Sequence, residues 1–323
     1  MKKKMKRLNL RLENGGKWIN LLPEESKYFD FQNCEECEEF DKYKHIKRRY
    51  DKNNIEFGKK FFQLRYIKNK LKQNSLTIEK KQGKSDENNT EKKDDASTQQ
   101  SHDKERLIQK YKIDFNLILE KSILSFNAKN YKESYELLTS SVIIKNVGEY
   151  GEILLVVDGF DKFLLGEFLA KQNYPNHRKE VLNNFIRLIN VDQIRTKFID
   201  CLRFLLSRLA LPKDENSILE IMNKFSINYF NKNKNYREFE TTFVSSDKVY
   251  LLVSTILELN AMLSRNAINI KNENAIKKEE FIKMNIDISR AFIEKLYDEL
   301  EKNPISMSDD FNEYMYRKMS PLV

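Results

Sequence analysis

The chain has 323 residues, enough for one large domain or two smaller ones, with 33% charged residues and a formal net charge of +9. Its longest aliphatic run, Ile153–Val157, is far too short to cross a bilayer. Three cysteines, Cys34, Cys37 and Cys201, cannot build a disulfide framework, so a reducing, cytoplasmic setting is expected.

The positive charge is concentrated at one end. Residues 1–73 carry 20 Lys+Arg against 11 Asp+Glu, and the remaining 250 hold 38 of each sign. Residues 1–78 therefore form a basic segment, expected to be partly helical. Between 42 and 72, Lys and Arg alternate with Tyr43, Tyr50, Phe57, Phe61, Phe62 and Tyr66. Lys47, Arg48, Arg49, Lys59 and Lys60 are the candidates for contact with anionic membrane or RNA. The alternative is an amphipathic segment whose aromatic rings pack on the helical domain or on each other. Cys34 and Cys37 have CxxC spacing but no second pair, so no metal site is expected.

From Glu79 to Arg106 the only aliphatic side chain is Ala96, which leaves almost nothing to bury. A disordered linker is expected over 79–107. A helical domain follows over 108–308 and a short tail over 309–323.

Within that domain there is no glycine after Gly166, and helical periodicity recurs. Phe198, Cys201, Leu202, Leu205 and Leu209 share one face. So do Ile218, Ile221, Met222, Phe225 and Tyr229. A third stripe, Val249, Leu252, Val253, Ile256, Leu259 and Leu263, is entered through Ser245–Asp247, a good N-cap sequence. Ile293, Leu296, Tyr297 and Leu300 make a fourth. No strand alternation appears, so the fold class is all-α.

No glycine-rich phosphate loop is present, so no nucleotide cofactor is expected, and His45, His102 and His177 are too scattered for a histidine-based site. The stretch LALPKDENSIL, Leu209–Leu219, stands apart. It breaks two apolar patterns with Pro212 and the acid pair Asp214–Glu215. By themselves the two acids suit a helix N-terminus, accepting free backbone N–H groups and matching the dipole.

With the helices placed, the domain resembles the Sec7 domain, the exchange module that acts on Arf-family small GTPases. The resemblance covers roughly 110–308. ILEKSILSFNAKNYKESYELL (Ile118–Leu138) resembles the family's opening helices. LLGEFLAKQN (Leu164–Asn173) is similar to its GEFLG-type segment, VLNNFIRL (Val181–Leu188) to its VL..F helix and CLRFLL (Cys201–Leu206) to its ALR.FL. LPKDENSILEIMNKF (Leu211–Phe225) aligns without a gap on LPGEAQKI…F. DKVYLLVSTILELN (Asp247–Asn260), IKKEEFIKMN (Ile276–Asn285) and LYDELEKNPISM (Leu296–Met307) resemble the later helices and tail. The resemblance implies a right-handed superhelix of about ten helices.

In that family the loop before the helix presents a glutamate that enters the GTPase nucleotide site. Its charge repels the β-phosphate and competes for magnesium and a lysine, so nucleotide leaves. Two like charges about 4 Å apart cost roughly 4 kcal/mol at an effective dielectric near 20. About 1.4 kcal/mol off a barrier is already tenfold in rate. By the resemblance this catalytic position falls on Asp214, one methylene or roughly 1.5 Å shorter. Glu215 follows with the longer stem, and Lys213 replaces the family's glycine.

The family's groove motif, MLNTDLHN, corresponds to Glu258–Arg265. Leu257, Leu259, Asn260 and Leu263 fit it, and Tyr250 keeps an aromatic. Glu258 replaces an apolar residue, Ser264 the histidine and Arg265 the asparagine. A carboxylate on an apolar contact surface is costly unless paired. The resemblance implies a GTPase-binding groove formed by Leu211, Pro212, Tyr250, Leu257, Asn260, Leu263, Arg265, Met284 and Asn285.

Three functions stay open. The first is guanine-nucleotide exchange on an Arf-family GTPase, regulating Arf signalling and vesicle traffic at Golgi or other endomembranes. The exchanger performs no bond chemistry, has no cofactor of its own, and relies on GDP and magnesium carried by the partner. The second is a degenerate Sec7 domain that binds a GTPase or other partner without exchange. The third is a helical scaffold with a basic RNA- or membrane-binding N-terminus. Nucleic acid is not the expected partner of the first two, and steep salt dependence would mark the third.

Overall fold

The computed structural model describes residues 49–82, 94–170, 177–192, 196–235, 243–266 and 276–307. Eleven α-helices occur among them, and the only β-type pairing is a parallel bridge between Tyr50 and Ile189. In chain order the helices are α1 (Ile55–Gln82), α2 (Asp94–Asn127), α3 (Tyr131–Ser140), α4 (Val147–Val156) and α5 (Lys162–Ala170). These are followed by α6 (His177–Arg187), α7 (Phe198–Arg208), α8 (Glu215–Asn233), α9 (Ser246–Asn266), α10 (Lys278–Met284) and α11 (Arg290–Lys302).

Two helices reach into the span 79–107 from either side. α1 runs on to Gln82 and α2 begins at Asp94, so only 83–93 lie outside the described residues. Lys, Glu and Gln are good helix formers, and Asp94–Asp95 suit a helix start. A polar sequence can thus extend a helix that is anchored further along. Cys34, Cys37, Lys47 and Arg48 also lie outside the described residues, as does the tail.

The described residues divide into two compact units, one within 53–159 and the other made of 49–52 with those from 160 onward. In the first, α1 packs on α2 and α4, and α2 on α3. The packing face of α2 follows helical spacing through Ile108, Tyr111, Phe115, Leu119, Ser122 and Phe126, all buried. On α1, Phe61, Phe62, Tyr66 and Ile67 are buried, and Tyr66 meets Phe115 of α2 at a tilt, with ring centroids 5.9 Å apart. Each such large side chain contributes about 1.5–3 kcal/mol by leaving water.

Two polar features are enclosed in that unit. Tyr150 donates to the Ser134 hydroxyl at 3.0 Å, which also meets the Ser122 hydroxyl at 2.8 Å. Burial pushes the Tyr150 phenol well above its usual range. Arg65 spans the Glu149 carboxylate with bonds of 2.6 and 2.8 Å and donates again to the Ile143 carbonyl.

The second unit has α8 at its centre, packed on α5, α6 and α9. Phe198 at the start of α7 meets Tyr229 edge-on at 4.8 Å, with Phe225, Phe243 and Phe292 around it. Along α9, Val249, Leu252, Val253, Ile256 and Leu259 are fully buried, as their spacing predicts. Leu263, at the end of that stripe, is half-buried. Tyr50 is strapped to the end of α6 by Tyr50 N–H to Leu188 O at 2.7 Å and Asn190 N–H to Tyr50 O at 2.8 Å.

Candidate functional site

The candidate site is the loop between α7 and α8. α7 stops at Arg208, and Leu209 leaves it in an extended conformation, φ −137° and ψ 153°. Leu209 and Leu211 then alternate into the interior, 0% and 4% exposed, while Ala210 between them donates its N–H to the Lys162 carbonyl on α5 at 3.0 Å. Pro212 is half-buried, and Lys213, Asp214 and Glu215 are exposed. The apolar anchors hold the loop down and leave the charged residues outermost.

Asp214 is the N-cap of α8. Its carboxylate accepts the Ser217 backbone N–H at 2.9 Å and also the Ser217 hydroxyl. These two bonds, the hydroxyl first, hold its carboxyl below the usual carboxylate range. Asp214 is thus ionised, exposed and already tied to the start of its own helix. The helix-cap role anticipated from the acid pair is present, and it falls on Asp214. Glu215 occupies the first turn of α8.

The expected groove residues separate into two sets. Tyr250, Glu258, Leu263 and Pro212 are half-buried, and Met284 is 44% exposed. Leu211, Leu257, Asn260 and Asn285 are buried. Asn260 accepts the Ile305 N–H at 2.6 Å and donates to the Ile305 carbonyl at 3.0 Å, tying α9 to the segment after α11. Asn285 accepts from the Thr255 hydroxyl at 3.2 Å and donates to the Phe281 carbonyl at 2.8 Å. Both asparagines thus spend their amides inside the protein. Ser264 and Arg265 continue α9, and their side chains lie outside the described residues.

The same elements carry exposed apolar side chains that helical spacing alone does not mark as functional. Leu219 on α8, Leu251 on α9 and Ile286 after α10 are 42%, 51% and 79% exposed. Their only signal is an apolar residue one step off the buried stripe.

Of the basic candidates, Lys59 and Lys60 are half-buried on α1. Burial, followed by the like charge of Arg187, pulls the Arg49 guanidinium below its usual value. Cys201 is buried and donates to the Asn190 carbonyl at 3.1 Å, and burial pushes its thiol far up, so it is not poised to react. Among the described residues no cluster of His, Cys, Asp and Glu fits a metal ion, and no helix is long and apolar enough to cross a membrane.

An all-α protein with an acid at the tip of an anchored helix-start loop is the class that the fold and site define. Comparison with known proteins gives the family. A Sec7 domain model matches residues 116–305, and the chain belongs to the Sec7 domain family. It is 32% identical over 194 residues to the ADP-ribosylation factor guanine nucleotide-exchange factor sec72 of Schizosaccharomyces pombe, covering 57% of this chain and 10% of that protein. Its identity to the exchange factor sec71 of the same organism is 28% over 200 residues, covering 59% of this chain and 10% of that one. The crystal structure of the Sec7p catalytic domain is similar over 58% of this chain and 98% of its own, with 24% identity and a TM-score of 0.49. The chain spans about a tenth of the length of these two curated relatives.

Proposed function

We propose that this chain is a guanine-nucleotide exchange factor for an Arf-family small GTPase. The observation that carries the reading is the loop from Leu209 to Asp214. Within a Sec7 domain, buried Leu209 and Leu211 hold it by its apolar side, and its acid pair Asp214–Glu215 faces solvent. An acid presented this way can approach a partner's nucleotide site, where its charge opposes the β-phosphate and draws magnesium away. Pro212, Tyr250, Leu263 and Met284 would meet the GTPase surface. Leu211, Leu257, Asn260 and Asn285 would shape that surface from beneath, and Arg265 would flank it.

GDP and magnesium belong to the partner in this mechanism, and the chain contributes only charge and shape. Recruitment to Golgi or other endomembranes, for control of Arf signalling and vesicle traffic, is part of the proposal. Lys59 and Lys60 are its candidates for contact with the lipid surface.

One observation favours the second reading, a domain that binds without exchange. The Asp214 carboxylate is engaged by Ser217, so entering a partner's site would cost it two hydrogen bonds. The test is release of fluorescent GDP from an Arf-family GTPase, with the wild-type chain and with Asp214→Lys and Glu215→Lys. Acceleration lost in only one of the two variants identifies the acting acid. A stable complex without acceleration would sink the exchange reading and support the second.

A further inference from the structure

We propose that Gly166 on α5 is a positioning residue for the acidic loop. Its missing side chain forms the seat for the Ala210 carbonyl, and that seat sets where Asp214 and Glu215 stand. The inference rests on the exchange reading and names a residue through which the loop's geometry is fixed.

A Cβ at Gly166 would lie 1.9 Å from the Ala210 oxygen and 3.1 Å from its carbonyl carbon, with the Pro212 ring at 3.5 Å. The first distance is about 1.5 Å short of ordinary van der Waals contact. The obstacle is backbone, so no side-chain rotation relieves it. Gly166 lies mid-helix, where glycine is a poor helix former, so space rather than helix formation accounts for it.

The second polar group of Ala210 addresses the same helix. Its N–H donates to the Lys162 carbonyl at 3.0 Å, and positions 162 and 166 share one face of α5. Ala210 is therefore clasped by α5 through both its carbonyl and its N–H. Buried Leu209 and Leu211 flank it on either side. From this clasp the chain reaches Asp214 in four residues, and Pro212 fixes one backbone angle on the way. A displacement at the seat passes to the acid pair with little slack to absorb it. A shift of an ångström at a reacting group costs about a hundredfold in rate where positioning matters.

The experiment uses the whole chain as wild type, Gly166→Ala and Ala210→Pro. The second variant removes the N–H bonded to Lys162 without adding bulk at 166. Leu209 is already extended, as the residue before a proline prefers, so this variant keeps the question open should Gly166→Ala fail to fold. Three quantities are measured: fluorescent-GDP release from an Arf-family GTPase, affinity for that GTPase, and amide hydrogen exchange along 209–217.

Both variants should lower the maximal release rate by about tenfold or more, with GTPase affinity within about twofold. In Gly166→Ala, amide exchange at Ala210 should rise by about tenfold while the α9 amides hold, and in Ala210→Pro, which has no amide at 210, the rise should appear at Leu211 and beyond Pro212. Wild-type release rates despite a loosened loop would overturn the inference. So would affinity falling in step with rate, which is what a general packing role predicts. An unprotected Ala210 amide in the wild-type chain would remove the seat itself. No release by wild type, with Ala210 protected and loosened by Gly166→Ala, would sink the exchange reading and the positioning role with it, leaving only a structural clasp.

Discussion

The Asp214 carboxylate caps α8 through Ser217, accepting both its backbone N–H and its hydroxyl. Both bonds favour the ionised acid, so its folded-state pKa lies below the ordinary value of 3.8. A carboxyl depressed on folding contributes stability that is present above its unfolded pKa and lost as pH falls through the folded value. Asp214→Asn keeps the shape and a capping oxygen but removes the charge. Its melting temperature should fall below wild type at neutral pH, and the gap should close below the ordinary carboxylate range. Thermal melts across a pH series check this. A gap of constant size would mean that the charge is not what matters.

The same capping geometry sets reach against helix stability. Asp214→Glu lengthens the arm by about 1.5 Å and restores the acid implied by the Sec7 resemblance. Glutamate is not among the favoured N-cap residues, so the start of α8 loses part of its hold. Release of GDP from an Arf-family GTPase should speed up by about tenfold while the melting temperature drops. A lower melting temperature with no gain in rate would show that reach is not limiting and would turn attention to Glu215.

In the first unit, Arg65 and Glu149 are 6% and 16% exposed and joined by two hydrogen bonds. Breaking a buried pair from one side leaves an uncompensated charge, at a cost of about 3–5 kcal/mol. Arg65→Met should therefore destabilise by about 3 kcal/mol or more. Glu149→Gln keeps an acceptor for the Lys145 N–H, which the carboxylate now binds at 2.7 Å. The double variant should be more stable than the sum of the singles by about 0.5–3 kcal/mol, as denaturant unfolding of the four chains would measure. Strict additivity would mean that the pair does not act as a unit.

The sequence made legible what is decided locally. The α9 stripe is read from spacing alone because Val249, Leu252 and Ile256 succeed one another on one helix face. Asp214–Glu215 is read as a helix start for the same reason, since its partner Ser217 is three residues away. What escaped was decided across long separations. Asn260 matches a groove motif, but Ile305, 45 residues on, takes up its amide. Asn285 is bonded to Thr255, 30 residues back. Gly166 belongs to a recognisable segment, yet its reason lies in the Ala210 carbonyl, which nothing local announces. The start of α2 at Asp94 escaped because composition measures what can be buried and not how far an anchored helix runs on.

The Asn260–Ile305 pairing supports a last prediction. Asn260 is fully buried and closes a two-bond ring with the Ile305 backbone, accepting at 2.6 Å and donating at 3.0 Å. Asn260→Ala leaves both Ile305 groups without these partners, and each unsatisfied buried group costs about 1–3 kcal/mol. The variant should lose about 2 kcal/mol or more, a fall of roughly 4–8 °C in melting temperature for a domain of this size. Limited proteolysis should then cut between 303 and 307 sooner than in wild type, because that segment loses its tie to α9. Affinity for an Arf-family GTPase, measured well below the melting temperature, separates the two roles of Asn260. A supporting residue leaves affinity nearly unchanged while stability falls. A residue that touches the partner weakens binding while the melting temperature and the proteolytic pattern stay as in wild type.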